Sequence, residues 1–223
     1  TNNWYQGLGW IDEYRQAITF AAYVSQTLGI NTSMVKEEEI KSFKDLLNAK
    51  WKGKLLLNDP TVPGTANRAI GFLLEIMGRD YLLELARQEP VIVRDQRMHM
   101  EWLARGRYPV AIAPLSDILL QFQNAGSPVK NLSVSDGEPM SAGHGAVALF
   151  KEAPHPNAAR FFLNWLLSRE GQLAYSRAMG VQSRRLDVPV DHLDPASIRK
   201  PGVKYFDHNL KAFLLREPEF IKM

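Results

Sequence analysis

Two short stretches hold residue types that can grip a small molecule without reacting with it. The first is Gly64-Thr65-Ala66, inside the run KWKGKLLLNDPTVPGTANRAIGFLLEIMG (Lys50–Gly78). It stands where a helix should begin after a Pro/Gly-punctuated loop. The first turn of a helix has N–H groups without partners and a partial positive charge. A glycine there lets a ligand come close, and a threonine hydroxyl adds a donor. The second stretch is Pro114-Leu115-Ser116-Asp117, directly after the apolar run YPVAIA (Tyr108–Ala113). Ser116 offers a hydroxyl, and Asp117 can receive an amine or a hydroxyl of an organic solute. Asn67 and Arg68, one step beyond Thr65, can reach an anion. Each group also has a plainer reading. Gly64 and Thr65 can be a loop glycine and a helix cap. Asp117 can be a carboxylate stabilised by the helix dipole. Asn67 and Arg68 can be solvated polar groups of a helix.

Reactive chemistry has no comparable foothold. The chain has no H-E-x-x-H, no Walker loop, no G-x-S-x-G and no G-x-G-x-x-G. His99 and Glu101 occur as HME, but metal-deaminase chemistry also needs cysteines, and there are none. Lack of cysteine also excludes disulfides and thiolate metal sites. His155 and His208 show no carboxylate–nucleophile spacing. His144, beside Gly143 at a strand start, reads as a satisfied structural histidine rather than a ligand. The expectation is a binding protein, not an enzyme, with no cofactor and no metal.

Gripping turns need rigid elements behind them. The chain has 223 residues and 45% hydrophobic content, enough for one large domain or two small ones. Charged residues are 23% and the formal net charge is +3. Basic residues are interspersed with acidic ones, so a nucleic-acid partner is not expected. No stretch reaches the length of a membrane span. The opening TNNWYQGLGW has no basic start and no apolar signal core.

Strands are predicted at Ala17–Val24, Leu28–Val35, Lys54–Asn58, Val91–Val93, Tyr108–Ala113, Val129–Ser133 and Gly143–Phe150. Helices are predicted at Ser42–Ala49, after the capping-box form S-x-x-D, and at Ala66–Met77, where Ile70, Leu73, Leu74 and Met77 share a face. Further helices are expected at Asp80–Gln88, Met98–Arg105 and Ile118–Asn124. Two more follow, from Pro156 to about Leu167 and from Ser168 to Met179, the second ended by Gly180. Trp102 and Trp165 sit on apolar helix faces and read as core. A last helical pattern lies near His208–Leu215. Thr1–Gln16 reads as irregular. The alternation implies an α/β fold with a mixed, mostly parallel sheet flanked by helices. Ligands of such sheets bind beyond the carboxyl ends of the strands, so both junctions point at one crevice.

Four strings carry a family resemblance: LLNAKWKGKLLLNDP, PGTA, LARGRYPVAIA and GHGAVALFKEAPHPNAARFFLNWLLSREGQ. Together they resemble the type II periplasmic (extracellular) solute-binding proteins of ABC importers, in the branch of ferric-iron and small organic-solute binders. The resemblance covers roughly residues 30–180. It implies two α/β lobes joined by crossing strands, with solute trapped by hinge closure. The implied spans are 1–34 for a remnant of the first lobe and the crossing strands, and 35–141 for the second lobe. Residues 142–185 would return to the first lobe, and 186–223 would pack back on both. The family's opening first-lobe elements, on the order of 100 residues, have no counterpart here, so the two-lobe architecture looks incomplete. Helices from Lys151 to Gly180 would then expose an apolar face that a homodimer or domain swap could cover.

By the same resemblance, Gly64, Thr65 and Ala66 match the loop that holds an anion. Gln96 and Arg97 lie near a further anion contact. Tyr23 and Asn31 lie on or near a crossing segment and would face the cleft, although packing also explains Tyr23. Where the iron-binding branch has two adjacent tyrosines, this chain has Ser116 and Asp117. Ferric iron wants anionic oxygen ligands, so tyrosinate iron binding is not expected. The implied solute is small and anionic or zwitterionic. The implied partner is the membrane permease of an ABC importer. The implied location is periplasmic, or extracellular and membrane-tethered. The alternative is a ligand-sensing effector domain of a transcription regulator with the same fold.

Overall fold

The computed structural model describes residues 3–207 apart from residues 63 and 144. The helical pattern near His208–Leu215 and the histidine at 144 lie outside the described residues. In chain order the first strands are β1 (Gly9–Trp10), β2 (Ala17–Thr19), β3 (Ala21–Val24), β4 (Leu28–Asn31) and β5 (Leu55–Asn58). Then come α1 (Thr65–Arg87), β6 (Val91–Val93), α2 (Gln96–Ala104), β7 (Val110–Ile112), α3 (Ser116–Asn124) and β8 (Val129–Leu132). β9 (Glu138–Ser141), β10 (Ala146–Ala148), α4 (Pro156–Leu166), α5 (Arg169–Met179) and β11 (Gln182–Ser183) follow.

Two compact units result. Among the described residues one is built from Ser25–Pro139 with Val203–Phe206, the other from residues 3–24 with Met140–Gly202 and Asp207. Among the described residues the chain passes between them at Val24–Ser25, at Pro139–Met140, and again on either side of Val203–Phe206. The boundary expected at residue 34 therefore moves to Val24. β4 pairs with β7 and β8, which fixes it in the sheet of the larger unit.

That sheet has the order β6-β5-β7-β4-β8. β5 is parallel to both β6 and β7. β4 is antiparallel to β7 and β8. The sheet is mixed, as expected, but parallel pairing is confined to the β6-β5-β7 block instead of dominating. Crossover helices α1 and α2 deliver β6 and β7 in parallel, whereas β4 enters without one.

Strand alternation sorts the two faces. Leu55, Leu57, Val110, Ile112, Leu28 and Ile30 pack with Phe72, Leu73, Tyr81 and Leu85 of α1. Leu56 and Ala111, on the opposite face, pack with Met100, Leu103 and Ala104 of α2 and Leu119 of α3. Gly29 lies on that second face, paired with Ala111. A Cβ there would stand 2.9 Å from Leu119 Cδ1 and 3.3 Å from Pro114 Cβ, so the missing side chain lets α3 lie close.

α1 is interrupted at Gly78 (φ 83°, ψ 172°), which divides it near the two predicted helices. The capping box at Ser42 and Asp45 forms, but over a 3-10 turn, Phe43–Leu47. Only five residues separate Ser42 from the next cap, Asn48, too few for a lasting α-helix. α2 starts at Gln96 rather than Met98, because the Asp95 carboxylate accepts the Met98 N–H at 2.7 Å and caps the helix. Met98 is exposed, and the buried face of α2 carries His99, Met100 and Leu103.

In the smaller unit the predicted strand Ala17–Val24 is broken at Phe20. β2 joins β1 and β10, while β3 pairs with β11 and with Met140–Ser141 of β9. Phe20 is buried and donates its N–H to Gly145 O at 2.8 Å, which diverts the chain. Trp4, Phe20, Ala21 and Leu166 form the core here, so the opening residues are less irregular than expected. α4 departs from the expected packing. Of its residues only Leu166 is buried. Trp165 is 42% exposed and Phe161 79%, with Phe162 and Phe150 also exposed, so Trp165 is surface and not core.

Candidate functional site

The parallel block dictates where helix starts gather. β6, β5 and β7 point the same way, so their carboxyl ends share one edge of the sheet. From that edge the chain enters α2, α1 and α3 in turn. Three helix N-termini thus rise beside each other, each with unpaired N–H groups and partial positive charge.

The first of these, the start of α1, is fixed from below. Asn58 Nδ2 donates to Val93 O at 2.9 Å, and Asp59 N donates to the same carbonyl at 3.0 Å. The Asp59 carboxylate accepts Thr61 Oγ1 at 2.6 Å and Thr61 N at 2.9 Å, and pairs with Arg94 Nε at 2.8 Å. The Thr61 hydrogen bonds, with help from Arg94, hold the Asp59 pKa down to about 2. The loop after β5 is thereby tied to the end of β6. Gly64 is the N-cap of α1, and apart from its chain neighbours no described residue lies within 4 Å of where its Cβ would stand. The backbone is open to approach on that side. Thr65 is the first helical residue and half-buried, Ala66 is buried, and Arg68 is exposed.

The second junction meets the first. Ala66 and Ala69 of α1 pack with Ala113, which follows β7, in one buried cluster. Ala113 is 2% exposed and holds φ 57°, a left-handed conformation uncommon for a residue with a side chain. Its N–H donates to Thr27 O at 2.8 Å, which ties the turn to the entry of β4. Such strain persists only where the surroundings over-determine it. The turn carries the chain into α3, which begins at Ser116. Ser116 Oγ donates to Gln26 Oε1 at 3.2 Å. Asp117, the second residue of α3, is exposed.

The remaining predicted residues fall in different places. Gln96 is the first residue of α2, exposed, one strand over from α1. Arg97 lies over the Phe122 ring at 6.0 Å. Asn31 is buried and donates to Leu103 O at 2.8 Å, a packing role inside the larger unit. Tyr23 belongs to the smaller unit, in β3, opposite Ser141. Trp102 stacks on Tyr108 with Arg107 over its ring, half-buried. Among the described residues no group of three or more His, Asp or Glu is arranged to hold a metal ion.

Sequence reasoning passed over Gln26, Thr27 and Glu138. All three are buried, and Thr27 N donates to Glu138 Oε2 at 3.4 Å. One signal was available: Gln26 and Thr27 are polar residues that lead directly into an apolar strand.

An α/β lobe with converging helix starts at the carboxyl edge of its sheet is the architecture of a ligand-binding module. The chain belongs to the family described as bacterial extracellular solute-binding protein, which it matches over residues 8–179. It is 28% identical over 188 residues to an uncharacterized protein of Haemophilus influenzae, covering 77% of this chain and 54% of that protein. This chain thus spans about half the length of that relative. Among solved structures it is similar to the FutA (IdiA) protein of Trichodesmium in complex with iron and citrate, with TM-score 0.72 and 18% identity over 99% of this chain and 72% of that one. It is also similar to the periplasmic binding protein AfuA of Actinobacillus pleuropneumoniae with fructose 6-phosphate bound, with TM-score 0.59 and 21% identity over 93% and 69% of the two chains.

Proposed function

We propose that this chain acts as the solute-binding component of an ABC importer. It captures a small anionic or zwitterionic solute in a cleft between lobes, by hinge closure, and delivers it to a membrane permease. It binds its guest without transforming it. Its place is the periplasm, or the outer face of a membrane to which it is tethered. The family match supports this reading over the effector-domain alternative.

One observation carries the proposal: the packing of Ala66 and Ala69 against Ala113. It brings the start of α1 beside the turn into α3, so that Gly64, Thr65, Ala66, Ser116 and Asp117 share one sheet edge, with Gln96 and Arg68 alongside. Backbone N–H groups and two hydroxyls there suit the acid end of a solute. Asp117 supplies an acceptor for its amine or hydroxyl. The ligands named for the two similar structures, fructose 6-phosphate in one and iron and citrate in the other, include an organic anion in each case. With Ser116 and Asp117 in place of paired tyrosines, an organic anion suits these residues better than bare ferric iron. Tyr23 would reach the solute from the other lobe on closure. The exposed aromatic face of α4 would be covered by a homodimer or a domain swap.

Isothermal titration of the full-length protein tests this. The panel is fructose 6-phosphate, inorganic phosphate, a phosphonate, ferric citrate, amino acids and a thiamine-like cation. Saturable binding of an anionic or zwitterionic member is expected. No binding across the panel would refute the reading.

A further inference from the structure

Two buried polar atoms near the start of α1 and the entry of β4 have no hydrogen-bond partner among the described residues. Asn67, the third residue of α1, is 1% exposed. Its Nδ2 donates to Pro60 O at 3.3 Å, which orients the amide and leaves Oδ1 as an acceptor. Thr27 is also 1% exposed, and its backbone is used in both directions, toward Glu138 and from Ala113. Neither Asn67 Oδ1 nor Thr27 Oγ1 finds a partner among the described residues. Native proteins leave few such atoms, and each calls for an explanation. Both residues adjoin one contact: Asn67 follows Ala66 in α1, the Thr27 carbonyl accepts the Ala113 N–H, and Ala66 packs on Ala113.

The seam between α1 and the turn after β7 therefore has two chemistries. Its rim is donor-rich and positive, made by the helix starts at Thr65, Gln96 and Ser116. Behind it are two buried acceptors, Asn67 Oδ1 and Thr27 Oγ1, and the N–H of Thr27 meets the buried Glu138 carboxylate. An anion alone satisfies the rim and leaves the two acceptors unpaired. A solute that carries both an acid group and a hydrogen-bond donor satisfies both.

We propose that Thr27 and Asn67 are ligand-binding residues that accept hydrogen bonds from a hydroxyl or ammonium group of the solute, whose acid group lies at the helix starts. This rests on the solute-binding reading above and narrows it to donor-bearing organic anions. The two acceptors discriminate against anions that lack the donor, because their binding leaves buried acceptors unpaired.

The test compares each donor-bearing anion with its stripped counterpart by titration of the full-length protein: fructose 6-phosphate with methyl phosphate, and glutamate with glutarate. The two pairs separate a hydroxyl from an ammonium donor. The wild type should favour the donor-bearing member of one pair by about tenfold or more. Thr27→Val should erase most of that preference and leave the stripped counterpart unchanged, without lowering the melting temperature, since the hydroxyl it removes has no partner among the described residues. Thr27→Ser should retain the preference. A merely structural role would instead lower the melting temperature and move both members equally, and that result overturns the proposal. Wild-type binding without preference in either pair overturns it alone. Absence of binding by all four anions overturns it, and binding of another member of the wider panel would then leave the solute-binding reading standing.

Discussion

Acid should loosen one particular helix. His99 lies in α2 and is 1% exposed, among Leu56, Met100 and Leu103. Burial pushes its pKa down to about 4 from an ordinary 6.5, against the opposing pull of a hydrogen bond with the Leu56 backbone. The folded state therefore refuses a proton that the unfolded chain accepts. Stability is full above pH 6.5 and falls as the pH drops toward 4, because the unfolded state binds more protons in that window. A tenfold difference in proton affinity between the two states corresponds to about 1.4 kcal/mol, so the whole window costs roughly 3 kcal/mol. Between about pH 7 and about pH 4.5 the loss is roughly 2 kcal/mol. Urea unfolding of the full-length protein and of His99→Leu at those two pH values measures it. Carboxylate effects are common to both proteins and cancel in the difference. The wild type should lose about 2 kcal/mol more than the variant over this interval. Equal losses would refute the reasoning, and would mean that the imidazole is protonated or solvated in the native state.

The positions of the helix starts were readable because they depend on local chemistry. The Pro/Gly loop before Thr65 and the apolar run before Pro114 each stop one element and begin another, and the observed helices start within two residues of the predicted starts. Their convergence was readable through one general rule, that parallel strands send their carboxyl ends to one edge. What stayed hidden depends on partners distant in sequence. Thr27 and Glu138 lie 111 positions apart, and each alone is an ordinary polar residue near a strand. The break at Phe20 was invisible because its side chain is as apolar as its neighbours, and only the bond to Gly145 O diverts it. Trp165 misled for another reason. The 3.6-residue period marks an apolar helix face but does not say whether anything covers it. The direction of β4 was equally silent, since a strand's composition is the same whichever way it runs.

Three further outcomes test the frame around the site. Asp59→Asn should weaken the Thr61 and Arg94 contacts, and limited proteolysis should then cut the loop after β5 faster; an unchanged cutting rate would mean the carboxylate does not hold that loop. Gly78→Ala should destabilise by about 1–3 kcal/mol in urea, through strain of its left-handed backbone, because no described residue would meet the added Cβ. The third perturbation separates packing from positioning. At Gly29 an alanine Cβ would meet Leu119 Cδ1, the end of a flexible side chain, so Gly29→Ala should cost little. Gly29→Val adds methyl groups toward the stiff Pro114 ring and Leu103, and overpacking of this kind costs about 1–3 kcal/mol. The strain falls on the turn that leads into Ser116, so the valine variant should also bind anions more weakly than its stability alone explains. A valine variant that unfolds at the wild-type urea concentration would show that α3 is free to move, and with it the start that carries Ser116.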